Sequence, residues 1–247
     1  VADAVAEILA DVRKNGDEAL RRYSERFDSA KLDVLEVTAE ERLAAMAAVD
    51  PELIAILEEV AANIRAFHEK QKRTDFVITE KDGVVLGQKI IPLDRAGVYV
   101  PGGTACYPST VLMDTIPAKI AGVGEIIMTT PAEIAGVDRI FKIGGAQAIG
   151  ALAYGTESVP RVDKIVGPGN AFVAEAKKQV FGRVSIDMIA GPSEILILAD
   201  DTCDAEVVAA DMLSQAEHDK MASAVLVTDS KRLADAVSAE LERQIPL

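Results

Sequence analysis

Apolar residues recur along the first part of the chain at the spacing of one helix face. Val5, Ile8, Leu9 and Val12 form a stripe that predicts a helix over residues 2–12. Asn15-Gly16 supplies a stop, and Asp17 is placed to restart a second helix as its N-cap, with Leu20, Tyr23 and Phe27 along it. Thr38 followed by Glu41 reads as a capping box. Asp50-Pro51 opens a longer helix with Leu53, Leu57, Val60, Ile64 and Phe67 expected on its buried side. His68, near its end among charged neighbours, is expected in a surface or half-buried structural role.

The pattern changes at Phe76. Two β-branched runs, 76–79 and 84–86, flank Asp82-Gly83 and predict a hairpin. Beyond it a rhythm of short apolar strand, Gly-Pro turn and helix fills the chain. Strands are expected at 97–100, 125–130, 139–143, 164–166, 186–189, 195–198 and 224–228, with a helix starting near Asp204. Such alternation predicts an α/β fold with parallel strands and right-handed crossovers. One connection is too short: only residues 131–138 separate two expected parallel strands, where a crossover needs a dozen or more. Either the two are not parallel members of one sheet, or residues are missing between Pro131 and Ala132; the second reading is preferred.

Composition narrows the class. The 247 residues carry a formal net charge of −14 and no Trp. Scarce aromatics beside abundant Ala, Val and Ile suit helices on a parallel sheet. The acidic balance argues against nucleic acid or an anionic membrane surface as partner, both of which demand a basic face. Cys106 and Cys203 lack any C-x-x-C spacing, so reduced, inert, half-buried thiols in a cytoplasmic protein are expected. No apolar run reaches membrane-spanning length. The chain opens at Val1 within a helical pattern and without Met, which predicts a processed or trimmed start.

The chemistry is expected at the strand ends. Pro101-Gly102-Gly103, Gly144-Gly145, Gly167-Pro168-Gly169 and Gly191-Pro192 each follow an expected strand, where backbone can approach a ligand and helix N-termini point at it. None is a G-x-G-x-x-G fingerprint, so a standard dinucleotide site is not indicated. Tyr99, Gln147, Asn170 and Ser193 stand beside these turns as candidates to orient a nucleotide or polar metabolite. A second cluster is Leu213-Ser214-Gln215-Ala216-Glu217-His218-Asp219. Gln215 and His218, three apart on a helix, can present an amide oxygen and an imidazole nitrogen to one point, the reach of a metal-ligand pair. The same spacing describes an acidic helix end turned to water, and a carboxamide is a poor first choice for a transition metal. Spacing leaves both readings open.

Five motifs carry a resemblance: Val98-Tyr99-Val100-Pro101-Gly102-Gly103, Phe141-Lys142-Ile143-Gly144-Gly145-Ala146-Gln147-Ala148-Ile149, Asp163-Lys164-Ile165-Val166-Gly167-Pro168-Gly169-Asn170, Asp187-Met188-Ile189-Ala190-Gly191-Pro192-Ser193-Glu194 and Leu213-Ser214-Gln215-Ala216-Glu217-His218. In this order and spacing, across nearly the whole chain, the sequence resembles histidinol dehydrogenase. The resemblance implies two incomplete Rossmann-like units with mostly parallel sheets and a helical N-terminal region: residues 1–98 with 196–247 as one unit, 99–195 as the inserted NAD-binding unit. It implies a zinc-dependent, NAD-linked, four-electron oxidation of L-histidinol to L-histidine through an enzyme-held aldehyde, in a homodimer. Tyr99, Gln147 and Asn170 match NAD-contacting positions, Ser193 a substrate contact, and Gln215 with His218 two zinc ligands that also face substrate. The family is longer, with its general base and remaining zinc ligands beyond the position of Leu247. This chain thus matches the N-terminal and central portion and is expected to be inactive alone. The family also has extra residues after the position of Pro131. A relative acting on another small polyol, such as a sulfonated diol, and a non-catalytic small-molecule-binding α/β protein are the alternatives.

Overall fold

The structure, a computed structural model, describes residues 1–101, 108–129, 137–189, 194–216 and 222–245. It separates into two compact units, Val1–Ile189 and Ala190–Leu247.

In the first unit, α1 (Ala2–Asp28) is one helix broken at Gly16, whose φ of 51° and ψ of −131° lie outside helical geometry. Val5, Ile8, Leu9 and Val12 are buried, as the stripe predicts, and so is Leu20 beyond the break. Tyr23 is half-buried and Phe27 exposed. Asp17 departs from expectation. Instead of capping the helix it restarts, its carboxylate accepts hydrogen bonds from Thr156 and Ser158, in the loop after α5, across the unit.

The capping box forms at α2 (Ala39–Ala48): Glu41 N donates to Thr38 Oγ1 at 3.1 Å, and Thr38 N donates to Glu41 Oε2 at 2.8 Å. Thr38→Ala is expected to lower stability by about 1 kcal/mol and Thr38→Ser by far less, read as midpoints of chemical unfolding. Equal midpoints for the alanine variant and the unmodified protein would remove the box from the account.

Asp50 caps α3 (Pro51–Glu69) by accepting from Glu52 N, with Pro51 at the first helical position. The buried stripe of α3 needs correction. The half-buried positions are Ile54, Leu57, Ala61, Ile64 and His68, on a helix that neighbours α4. Leu53, Val60 and Phe67 are 46%, 36% and 64% exposed. Apolar residues occupy two adjoining faces of this helix, and the one turned inward is offset by a single position. His68 is half-buried, with Nδ1 2.7 Å from Gln71 Oε1. The hairpin pairs β1 (Phe76–Ile78) with β2 (Leu86–Gln88), Phe76 opposite Gln88, so Val84 and Val85 fall in the connection that Gly83 turns at φ 73°.

Five parallel strands make the central sheet in the order β5-β4-β3-β6-β7: β3 (Arg95–Tyr99), β4 (Glu125–Thr129), β5 (Arg139–Phe141), β6 (Lys164–Val166) and β7 (Ser185–Ile186). Both faces are covered, which is why the strands read as apolar runs. On one face α1, α5 (Gly145–Tyr154) and α6 (Ala171–Val180) contribute Leu9, Ile149, Leu152 and Val173 to a core with Tyr99, Phe141 and Ile165. On the other, Val111 of α4 (Pro108–Ile120) joins Val98, Ile126, Met128 and Ile140. β4 and β5 are parallel neighbours, which overturns the first explanation offered for their short connection. Pro131 and Ala132 lie outside the described residues. β7 is shorter than expected, and Met188 and Ile189 are exposed.

The second unit pairs β8 (Glu194–Leu198) with β9 (Ser223–Val227) in parallel, beside α7 (Ala205–Ala216) and α8 (Lys231–Gln244). Ala199, Val208, Ala209, Leu233 and Val237 form its core. Cys203 is exposed rather than half-buried, because it sits in the turn before α7. No helix among the described residues is long and apolar enough to cross a membrane.

Candidate functional site at the carboxyl edge of the central sheet

The chain runs from β3 outward to β4 and β5, then returns to place β6 and β7 on the other side of β3. The carboxyl ends of β3 and β6 therefore flank a topological switch point, where open α/β sheets bind ligands. Tyr99 ends β3 there. It is 4% exposed, and Gly145 N donates to its hydroxyl at 3.2 Å, which ties β3 to the turn that starts α5. Burial raises the Tyr99 phenol above its ordinary value, so it stays a neutral donor and acceptor. Gly145 has φ 64°, and a Cβ on it would stand 2.8 Å from Gln147 Oε1. Gln147, in the first turn of α5, is 2% exposed.

The second turn follows β6. Gly167 has φ 118° and lies so close to β3 that a Cβ would collide with the Tyr99 carbonyl oxygen and stand 2.9 Å from its carbon. Asn170 caps α6, its Oδ1 accepting from Phe172 N at 3.0 Å and Val173 N at 3.1 Å. That leaves its Nδ2 hydrogens as donors at the helix N-terminus, where the dipole favours an anion. Tyr99 thus stands between the turns that carry Gln147 and Asn170, and the three candidates from separate motifs meet at one edge.

Beneath the second turn lies a charged group that the motifs did not single out. Lys177 of α6 is 3% exposed, donates to Gly167 O at 2.9 Å and forms an ion pair with Asp187. Asp187 Oδ2 accepts from Gly167 N at 2.9 Å. Asp114 of α4 is close enough to feel both charges; burial first, then Asp187, push its carboxyl up to about 6 while Lys177 opposes them. The signal was present in α6: Lys177 occupies a position on the stripe of Val173, Ala176 and Val180, where an apolar residue is expected.

Of the other candidates, Gln215 is half-buried near the end of α7 in the second unit. Ser193, His218, Glu217, Asp219 and Cys106 lie outside the described residues. Among the described residues no three His, Cys, Asp or Glu side chains gather as a metal site.

The chain is similar to known proteins along its whole length. The histidinol dehydrogenase family model matches residues 1–247. The histidinol dehydrogenase of Geobacillus kaustophilus is 56% identical over 256 residues, covering 98% of this chain and 60% of that protein. That span exceeds the 247 residues of the chain, so the relative carries residues that this chain lacks. The enzyme of Lactiplantibacillus plantarum is 55% identical over 99% of this chain and 60% of its own length. The crystal structure of histidinol dehydrogenase from Elizabethkingia anophelis superposes with a TM-score of 0.92 at 39% identity, over 99% of this chain and 60% of that one. The chain spans about 60% of the length of the relatives it matches. It belongs to the histidinol dehydrogenase family.

Proposed function

We propose that the chain is the N-terminal and central portion of an enzyme that oxidises L-histidinol to L-histidine with NAD as electron acceptor, closing histidine biosynthesis. The family match along residues 1–247 carries this reading. Four electrons leave the alcohol carbon in two hydride transfers, with water added to the intermediate aldehyde. The described residues fit NAD: the turns at Gly145 and Gly167, where an added Cβ would be crowded, two helix N-termini and the donors of Asn170 converge on the switch point. When bound, NAD accepts each hydride. Asn170 would hold its pyrophosphate end with Nδ2 at the positive end of the α6 dipole, while its Oδ1 keeps the Phe172 and Val173 amides capped. Tyr99 and Gln147 would orient the remainder, and their burial beside the turns keeps water from the face they cover.

Gln215 and His218 are proposed as two zinc ligands, and with Ser193 as substrate contacts, in a homodimeric cytoplasmic enzyme. A carboxamide and an imidazole make half of a tetrahedral shell, which the described residues do not close. The grouping of residues 1–98 with 196–247 around an inserted 99–195 is likewise proposed for the whole enzyme, with the general base supplied by the rest of the longer protein. Residues 1–247 alone are expected not to turn over histidinol.

The test is NADH formation by the full-length protein on L-histidinol, two equivalents for each histidine formed. Turnover of a sulfonated diol with none of histidinol would overturn the substrate. Asn170→Asp sharpens the test, because a carboxylate still caps α6 but replaces the two donors with negative charge. It is expected to weaken NAD about tenfold or more at unchanged thermal stability. Unchanged NAD affinity would remove Asn170 from the cofactor site.

A further inference from the structure

We propose that Lys177 and Asp187 are positioning residues: together they fix the backbone of Gly167, and through it the direction in which Asn170 and the first turn of α6 face the cofactor. The inference rests on the reading of this edge as the NAD site. Three contacts close a ring around one residue. Gly167 N donates to Asp187 Oδ2 at 2.9 Å, Lys177 Nζ donates to Gly167 O at 2.9 Å, and the two side chains pair with each other. Asp187 is itself held by Met188 N, which donates to its Oδ1 at 2.6 Å.

Packing does not account for the pair. Lys177 is 3% exposed on a stripe that is otherwise apolar, and a buried ion pair is generally no more stabilising than apolar residues of similar volume. Its distinctive contribution is directional. Gly167 has no side chain to define its backbone angles, and its φ of 118° is one that glycine adopts without preference. Bonds to both its amide and its carbonyl restrain the turn from outside. Only Pro168 and Gly169 separate it from Asn170, so an error at Gly167 is carried directly to the cap. Small misplacements at such sites cost large factors in ligand affinity or rate.

Asp114 provides an internal control. Its carboxyl feels the charges of the same pair, yet its buried Oδ2 has no hydrogen-bond partner among the described residues and it makes no bond to the turn. If charge near the site were what mattered, neutralising Asp114 would matter as much as neutralising Asp187.

The experiment compares Lys177→Met, Lys177→Arg, Asp187→Asn and Asp114→Asn in the full-length protein. Two readouts are used: steady-state kinetics with NAD, and hydrogen exchange of residues 167–173 without ligand. Lys177→Met and Asp187→Asn are expected to raise KM for NAD about tenfold or more, with kcat at saturating NAD within about threefold. Lys177→Arg is expected to recover part of the loss, and Asp114→Asn to leave KM within about twofold. Exchange at 167–173 should quicken about tenfold in the first two variants while α5 is unaffected. Unchanged KM, a loss confined to kcat, or unchanged exchange overturns the proposal. Asp187→Asn is isosteric and keeps the test open should Lys177→Met fail to fold. An unmodified protein that does not use NAD would refute the cofactor reading instead, and exchange alone would then decide whether the pair fixes the turn.

Discussion

Gly167→Ala is expected to lower stability by more than about 3 kcal/mol, a large fraction of the roughly 5–15 kcal/mol that keeps an ordinary domain folded. Two effects combine. A φ of 118° lies where residues with a Cβ carry strain of about 1–3 kcal/mol. The added carbon would also collide with the Tyr99 carbonyl, which cannot yield because β3 is hydrogen-bonded between β4 and β6. Gly83 separates the two effects: its φ is 73°, but nothing lies within 4 Å of an added Cβ. Gly83→Ala should therefore show the strain alone, about 1 kcal/mol. Urea unfolding of both variants measures the difference. Equal losses would mean that β3 and β6 do not approach as closely as described.

How far these features were legible in the chain follows from what each depends on. Thr38 with Glu41, and Asp50 with Pro51, are local: the atoms that satisfy the first helical amides lie within three residues, so sequence suffices. Strands β3, β4 and β6 are equally readable, because a sheet covered on both faces selects apolar runs; β8 and β9 are legible as apolar runs too, although Leu196, Leu198, Val225 and Val227 stay exposed in the second unit. The inward face of α3 was not, since apolar residues on adjoining faces make a rotation of one position invisible until a neighbouring helix is placed. The turns announced themselves by glycine, but the bonds that hold Gly167 could not be read, because Lys177 and Asp187 lie ten and twenty residues away. In the sequence Tyr99, Gln147 and Asn170 are legible only as neighbours of separate glycine turns. Only the strand order, with β6 returning beside β3, shows that those turns share one edge.

Asp17 shows the same limit, and it carries the second large expectation. Read locally, it follows a glycine stop and should cap its own helix. In the fold it is 7% exposed and accepts from Thr156 Oγ1 at 2.6 Å, Ser158 Oγ at 2.5 Å and Ser158 N at 3.2 Å, while its own amide donates to Glu157 Oε2 at 2.8 Å. The kink at Gly16 makes this possible by turning the chain toward the loop after α5; a Cβ at Gly16 would run into the Glu157 carboxylate. Asp17→Ala is expected to cost about 2–4 kcal/mol, because it strands three half-buried donors of Thr156 and Ser158 at once. Asp17→Asn, which keeps an acceptor, is expected to cost about 1 kcal/mol at neutral pH.

The pH dependence identifies the charge. Burial alone would raise this carboxyl, but bonds from Ser158 and Thr156 and the nearby Arg21 outweigh it and hold it below its usual 3.8. A folded-state value depressed below the unfolded one gives stability that is present above about pH 4 and is lost as pH falls through the folded value. The stability gap between the unmodified protein and Asp17→Asn should therefore be constant from pH 7 to 5 and shrink as pH falls below about 4 toward the folded value, beneath which both side chains are neutral. Thermal unfolding across that range measures it. A gap that stays constant down to pH 3 would mean that hydrogen-bond geometry alone, and not the carboxylate charge, ties α1 to the loop after α5.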